Sequence, residues 1–295
     1  MLHQFAQLTL NGLIAGTILA LTGLGATLVF GIQRVANFAH GEYLTFAAYA
    51  GFVLNVGFRQ NLVVATVGAM IATALLAAGI HFAVLRPLRG RGLVAMALIT
   101  VGLALMLRDL IFMVAGTDIR QYGIDEMAVL NLGLVRISPG QAVAIAITIV
   151  VAPAVGFLLA KTALGKSMRA VADNRDLAAI SGIDVDRIGA YVWLLAGALA
   201  GLGGVMLAVV QGTFDPNLGF QVLLLIFTTV VLGGIGNAYG ALAAGVVLGL
   251  VMELSTWSVL LGGLDARFKP LLAFAILIVL LLVRPQGLFG NARVL

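Results

Sequence analysis

Nine apolar runs follow one another along the chain, near residues 5–32, 37–57, 61–85, 93–115, 139–160, 190–211, 222–236, 240–257 and 270–283. Most are about 20 residues long, enough to cross a hydrocarbon core roughly 30 Å thick. Within them hydrophobicity is continuous and lacks the period-2 alternation of a membrane strand, so the spanning segments are predicted to be helices. The expected fold is an all-α integral membrane protein, a polytopic helical bundle of about 8–10 transmembrane helices with broken or re-entrant segments. Its expected address is the bacterial cytoplasmic (inner) membrane, as a multi-pass protein with residues 1–295 forming one domain.

Composition agrees: hydrophobic residues make up 62% of the chain and charged residues 10%, against roughly 25% charged in soluble domains. Glycine is abundant, at 37 residues, as expected where helix backbones approach closely in lipid. The four-residue spacing of Gly12/Gly16, Gly197/Gly201, Gly236/Gly240 and Gly245/Gly249 predicts tight helix contacts, which would also let helices slide during transport. The absence of Cys removes disulfide and thiolate–metal chemistry. His3, His40 and His81 lack zinc-ligand spacing, so no metal is expected. The first ten residues contain no Lys or Arg, so no cleavable signal segment is expected.

A net charge of +5 does not point to nucleic acid, because the basic residues gather in loops. The positive-inside rule places Arg34, Arg86, Arg89, Arg91, Lys161, Lys166, Arg169, Arg175, Arg187, Arg284 and Arg293 in the cytoplasm. Arg59, Arg120, Arg136, Arg267 and Lys269 then lie outside, with the loops 116–138, 212–221 and 258–269 and the N-terminus. Residues 222–269 must cross an even number of times, as two crossings joined by the glycine-rich stretch 233–240 or as a re-entrant pair.

The one long hydrophilic interruption, residues 161–188, separates two apolar runs. Residues 161–168 are predicted to finish the preceding helix, and residues 169–181 to form a short one stopped by Gly182. Leu177, Ala178, Ala179, Ile180 and Ile183 would supply a compact apolar face, ringed by Arg169, Asp173, Asn174, Arg175 and Asp176. Such a face fits a groove in a soluble partner. The alternative is an amphipathic helix lying on the membrane. Asp173, Asp176, Asp184 and Asp186 oppose that, since such helices favour Lys/Arg-rich polar faces. Gly165-Lys166-Ser167 resembles the end of a phosphate-binding loop, but Ala160 stands where the motif requires Gly, so no nucleotide site is expected here.

Asn37, His40 and Glu42 gather where the first two apolar runs join. Ionisable residues in a membrane are functional candidates, here as substrate contacts or proton carriers, with a structural hydrogen bond or cap as the competing role. Arg108 and Asp109 are expected to neutralise each other. Glu253 is a lone acid in an apolar run with no basic residue opposite it in sequence. Thr228, Thr229, Gly233 and Gly234 are candidates for lining a path, because broken helices expose backbone groups that meet a zwitterion's charges. The loop 116–137 could receive an extracytoplasmic partner. A short internal match between residues 29–32 and 231–234 hints at an inverted repeat. No Ser/His, paired-Asp or His-Glu-x-x-His arrangement marks an enzyme, so no catalytic residue is expected.

Taken in order, Asn11 to Gly16, Asn37-Phe38-Ala39-His40-Gly41-Glu42, Arg169 to Asn174 with Ala178 to Ile183, Val231 to Gly236 and Arg284 to Gly290 resemble one family. The chain is similar over its whole length to the LivH-type permease subunits of branched-chain amino acid ABC importers. The resemblance implies a permease without its own ATPase site or cofactor, with ATP and Mg on partner subunits. It implies a heterodimer with a second, LivM-like permease, two cytoplasmic ATPases and a periplasmic or extracellular substrate-binding protein. Residues 161–189 would then be the cytoplasmic coupling loop. Family members carry a Glu-Ala-Ala-like motif there, whereas this chain has Asp176 separated from Ala178 and Ala179 by Leu177. Leucine, isoleucine and valine are the expected substrates, moved by alternating access. Urea, short amides or other amino acids are the alternative within the same architecture. An ion-coupled secondary transporter using His40, Glu42 or Glu253 is the alternative outside it.

Overall fold

The computed structural model describes residues 2–88, 90–124, 130–131, 133–258, 263–284 and 286–290. Arg89 and Arg293 of the basic clusters, Pro285 of the closing motif and residues 125–129 and 132 of the 116–138 loop lie outside the described residues.

Each apolar run forms a helix. In chain order these are α1 (Leu2–Gln33), α2 (His40–Phe52), α3 (Leu62–Ile80), α4 (Leu93–Ala115) and α5 (Pro139–Lys161). The interruption forms α6 (Ala163–Asp173) and α7 (Arg175–Ile180), and the bundle resumes with α8 (Val185–Gln211), α9 (Leu218–Gly233), α10 (Ala238–Leu254) and α11 (Lys269–Val283). Single π-turns at Val53–Gly57 and His81–Leu85 extend α2 and α3. Among the described residues, six helices are long and apolar enough to cross a membrane, and α9 and α10 are shorter apolar helices. A two-residue hairpin, β1 (Leu130–Asn131) with β2 (Arg136–Ile137), sits in the α4–α5 connection.

The loops sort to two ends. At one, Arg86 pairs with Asp186 at 3.0 Å and Arg175 approaches the same carboxylate at 3.5 Å. At the other, Gln7 donates to the Arg136 carbonyl at 3.1 Å, Phe5 packs on Trp257 at 5.1 Å, and Arg120 and Phe214 exchange backbone bonds. The N-terminus therefore shares an end with the three loops predicted to lie outside, and the Arg86 and 161–188 clusters share the opposite end. Tyr122 ties the outer loop down by donating its hydroxyl to the Ala48 carbonyl at 2.7 Å, and burial pushes its phenol up, beyond titration in any ordinary buffer.

Small residues set the packing. α1 and α10 run antiparallel: a Cβ on Gly12 would stand 2.9 Å from Leu250 Cα, one on Gly16 2.8 Å from Val246 Cα, and Gly249 lies against the Gly16 backbone. α8 meets α3 the same way, Gly197 against Thr73 and Ala74, and Gly201 against Met70. Gly236 and Gly240 are different. Gly236, with φ +83°, lies in the turn between α9 and α10, and Gly240, in the first turn of α10, packs on the Gly233 carbonyl. Their spacing marks a turn, not a helix seam.

That turn sits at the end of the bundle opposite the N-terminus. Gly236 lies against Gly31 near the end of α1, its N–H bonds Thr27 Oγ1 at 3.0 Å, and Gly234 abuts Gly290 beyond α11. At the far end of α10, Glu253 lies beside Gly12. α9 and α10 are two antiparallel apolar helices joined by a glycine turn, both shorter than the six candidate spans.

The core lies between two trios that repeat each other's arrangement: α1–α2–α3 and α8–α9–α10. α1 packs on α10 as α8 packs on α3, and α2 packs on α8 as α9 packs on α1. Each long first helix ends in a non-helical segment of six residues, 34–39 or 212–217, before the short second helix begins. The four-residue match between 29–32 and 231–234 does not follow this relation, since it pairs the end of α1 with the end of α9, whereas α1 corresponds to α8.

Glu253 has a partner that its sequence neighbourhood did not reveal. Lys269, at the start of α11, reaches it at 2.6 Å, and the two side chains are only 16% and 21% exposed. Lys269→Met should leave a mostly buried carboxylate unpaired and lower stability by about 2 kcal/mol. Adding Glu253→Gln should restore most of that loss. Thermal unfolding of the purified variants in detergent checks both.

Candidate translocation and coupling sites

The six-residue segments do not stay at the membrane surface. After α1 ends, residues 34–39 turn back into the bundle: Phe38 N–H donates to Thr100 Oγ1 at 3.3 Å, and Thr100 donates to the Ala36 carbonyl at 2.9 Å. His40 then reaches the Thr22 carbonyl at 3.1 Å. Because a carbonyl only accepts, Nε2 carries the proton. Thr22 lies eleven residues before the end of α1, about 16 Å deep along its axis. α2 therefore begins inside the bundle.

α9 begins inside it from the other side. Residues 212–217 descend from the outer end, and Leu218 and Gly219 open the helix against α2. Gly41 and Gly219 meet backbone to backbone, and Gly219 N–H donates to Thr45 Oγ1 at 2.9 Å. Two helix N-termini, each the positive end of its dipole, thus converge at one buried junction.

The polar side chains of that junction are incompletely satisfied. Asn37 is buried, with neither amide atom hydrogen-bonded, and Tyr43 faces it without closing a bond of ordinary geometry. His40 Nδ1 has no partner. Glu42 is 2% exposed; one of its oxygens meets Thr45, while Oε2 has no hydrogen-bond partner. Buried polar groups are normally paired, so this concentration between residues 37 and 43 singles the region out. Arg108 lies within electrostatic range of Glu42, but its guanidinium turns to Asn217 and stacks over Phe220 at 4.6 Å. The expected Arg108–Asp109 ion pair does not form, because α4 points these neighbours in different directions: Arg108 is half-buried and Asp109 exposed.

The remaining path candidates lie elsewhere. Thr228 and Thr229 are fully buried, return their hydroxyls to the Leu224 and Leu225 carbonyls, and Thr229 packs on Gly23 of α1. Gly233 ends α9 and Gly234 opens the turn to α10. Asn237 caps α10 by accepting Gly240 N–H at 2.9 Å and donates to the Phe289 carbonyl at 2.8 Å, while Leu288 N–H donates to the Leu232 carbonyl at 2.8 Å. The sequence reading missed Arg108 as a junction residue, and also Asn217, Thr45 and Thr22. The Asp215-Pro216-Asn217 turn just before an apolar run was the available signal for Asn217.

The 161–188 element is built from caps. α5 stops at Lys161, and Thr162 opens α6, its Oγ1 accepting Gly165 N–H at 3.1 Å. Gly165 lies under the Leu158 and Leu159 carbonyls, and Arg169 donates to Leu159, so α6 folds tightly back on α5. Gly165, Met168 and Val171 form its buried stripe. Residues 161–168 and 169–181 thus divide differently from the expectation, with breaks at Thr162 and Asn174. Asn174 ends α6 and caps α7, its Oδ1 accepting Leu177 N–H at 3.0 Å; an Asn that bonds its own backbone competes with helix continuation. α7 closes in a Schellman motif. Ile183 N–H bonds the Ala178 carbonyl and Gly182 N–H that of Ala179, both at 3.0 Å, with Gly182 at φ +84°.

The apolar face divides as well. Ala178 is buried and Ile183 packs against the core, whereas Leu177 is 60% and Ile180 85% exposed, with Asp176 and Ala179 also outward. A helix of 100° per residue cannot turn all five apolar residues the same way. Gly165-Lys166-Ser167 lies within α6 and forms no phosphate loop.

The helices form an all-α polytopic membrane bundle with two related trios, and a separate short-helix element at one end displays Leu177 and Ile180. The chain belongs to the family described as branched-chain amino acid transport system, permease component, whose model matches residues 8–281. It is 28% identical to the high-affinity branched-chain amino acid transport system permease protein LivH of Escherichia coli K12, covering 98% of this chain and 97% of that one. It is 27% identical to the permease protein BraD of Pseudomonas aeruginosa, over 99% and 98% of the two chains. A probable LivH protein of Methanocaldococcus jannaschii is 28% identical, over 95% and 91%. No solved structure matches the chain. The family and the apolar helices together make it a multi-pass protein of the inner membrane.

Proposed function

We propose that this chain is the transmembrane subunit of an ATP-driven importer that moves leucine, isoleucine and valine inward by alternating access. The observation that carries the coupling part is the display of Leu177 and Ile180 on a helix capped at both ends and tied to the bundle at Arg169 and Asp186. An apolar pair held rigidly in water fits a groove on a soluble partner. That partner is proposed to be two cytoplasmic ATPase subunits, which bind the ATP and Mg. A LivM-like permease completes the path as a heterodimer, and an extracytoplasmic binding protein delivers substrate to the outer loops.

In this reading, closure of the ATPases pushes on Asp176, Leu177, Ala179 and Ile180. Met168 and Val171 pass the push to α5, and the Arg86–Asp186 pair passes it to α3. The close glycine contacts between α1 and α10 and between α8 and α3 are smooth seams along which the halves can rock. Asn37, His40 and Glu42 are proposed to border the path, with Thr228, Thr229, Gly233 and Gly234 in the wall behind it. The relatives' printed substrates support branched-chain amino acids.

Uptake of labelled leucine into vesicles containing this chain, its partner permease, the ATPases and the binding protein tests the proposal. The expected result is uptake that requires ATP and all the components. Uptake by this chain alone, driven by a proton gradient, would overturn it and make His40 and Glu42 a proton path.

A further inference from the structure

The outer half of the α4–α9 face carries charge that the fold does not neutralise. Arg108 lies seven residues, about 10 Å, from the outer end of α4. Its one protein acceptor is Asn217 Oδ1, and it has no carboxylate within ion-pair distance among the described residues; a guanidinium has five N–H donors. Phe220 lies under it at 4.6 Å and Phe112 at 5.9 Å. The buried Glu42, whose Oε2 has no hydrogen-bond partner, lies within electrostatic range of it. Lipid is a poor environment for this group, since an ionised side chain deep in a bilayer costs about 2.5–3.5 kcal/mol. The face therefore borders a water-filled path or the partner permease.

The chemistry displayed is one planar cation held by an amide, one carboxylate within electrostatic range, and exposed apolar side chains at Phe220, Leu224 and Leu105. It is complementary to a zwitterion with an aliphatic side chain. We infer that Arg108 receives the carboxylate of the transported amino acid, with Glu42 on the side of its ammonium group. This rests on the amino-acid reading above. Asn217 is a positioning residue: it orients the fork while leaving the remaining donors for the substrate. A planar guanidinium matches a carboxylate bidentately, which a lysine ammonium cannot do.

The test uses the full assembly in vesicles with leucine at saturating binding protein. Arg108→Gln should lower the maximal uptake rate by about tenfold or more, and Arg108→Lys, which keeps the charge, should retain about a third of it. Leucine uptake that is unchanged in Arg108→Gln overturns the inference alone. Equal losses in Arg108→Gln and Arg108→Lys, with less assembled complex recovered, assign Arg108 to structure and overturn it too. Wild-type assembly that carries urea and not leucine overturns the amino-acid reading and this inference together, and is recognised before any variant is made.

Discussion

Gly219→Val should prevent the protein from accumulating in the membrane in folded form. A Cβ at this position would fall onto the carbonyl of Gly41 and stand 2.6 Å from Thr45 Oγ1. Neither obstacle can move away cheaply. The Gly41 carbonyl belongs to α2, which is held by His40 on Thr22, and Thr45 accepts the N–H of Gly219 itself. Overpacking a well-filled site typically costs about 1–3 kcal/mol, and a backbone-to-backbone collision with a branched side chain belongs at or above the top of that range. The loss would fall on the one crossing where the two halves of the bundle touch through helix N-termini.

The comparison variant is Gly79→Ala. A Cβ there meets nothing within 4 Å, and φ is helical, so the change should be neutral or stabilise α3 by up to about 1 kcal/mol. Membrane accumulation and thermal unfolding of both variants in detergent separate the two expectations. Normal accumulation of Gly219→Val with an unchanged unfolding midpoint would show that α2 and α9 do not meet at these glycines.

The helices were legible because length and continuous hydrophobicity are local properties: all nine runs became helices, and the expected stop at Gly182 is where α7 ends. Depth was not legible. Nothing in residues 34–39 or 212–217 says that the chain turns back into the bundle before α2 and α9 start, because that depends on Thr22, Thr100 and Gly41 across the fold. The partner of Glu253 was hidden for the same reason, since Lys269 follows it only after a loop. Arg108 illustrates a third limit. Adjacent opposite charges invite pairing on paper, yet consecutive residues on a helix diverge by about 100°, and the side chain goes to Asn217 instead. The break at Asn174 was a contest between helix propensity and a side chain that bonds its own backbone, which a count of helix-forming residues does not decide.

Ile180→Asp should leave the bundle intact and reduce ATP-driven uptake by about tenfold or more. The side chain is 85% exposed and makes no contribution to the buried core, so the change in stability should stay within about 0.5 kcal/mol. Its effect must therefore come from what it meets outside this chain. A carboxylate placed where an apolar contact enters a groove loses the burial and leaves a charge to be desolvated. Ala178→Asp, one position past Leu177, is the structural counterpart. Ala178 is 4% exposed and packs inward, so a carboxylate there should unfold α7 and raise the proteolysis of residues 161–189. The two variants thus separate docking from folding on a single six-residue helix. Limited proteolysis in the membrane, co-purification of the ATPase subunits and leucine uptake supply the three readouts. Ile180→Asp that resists proteolysis like wild type, releases the ATPases and transports poorly fits the docking role of α7. Wild-type co-purification and uptake in Ile180→Asp would remove this face from the coupling pathway and leave α6, through Lys166 and Arg169, as the element that the ATPases touch.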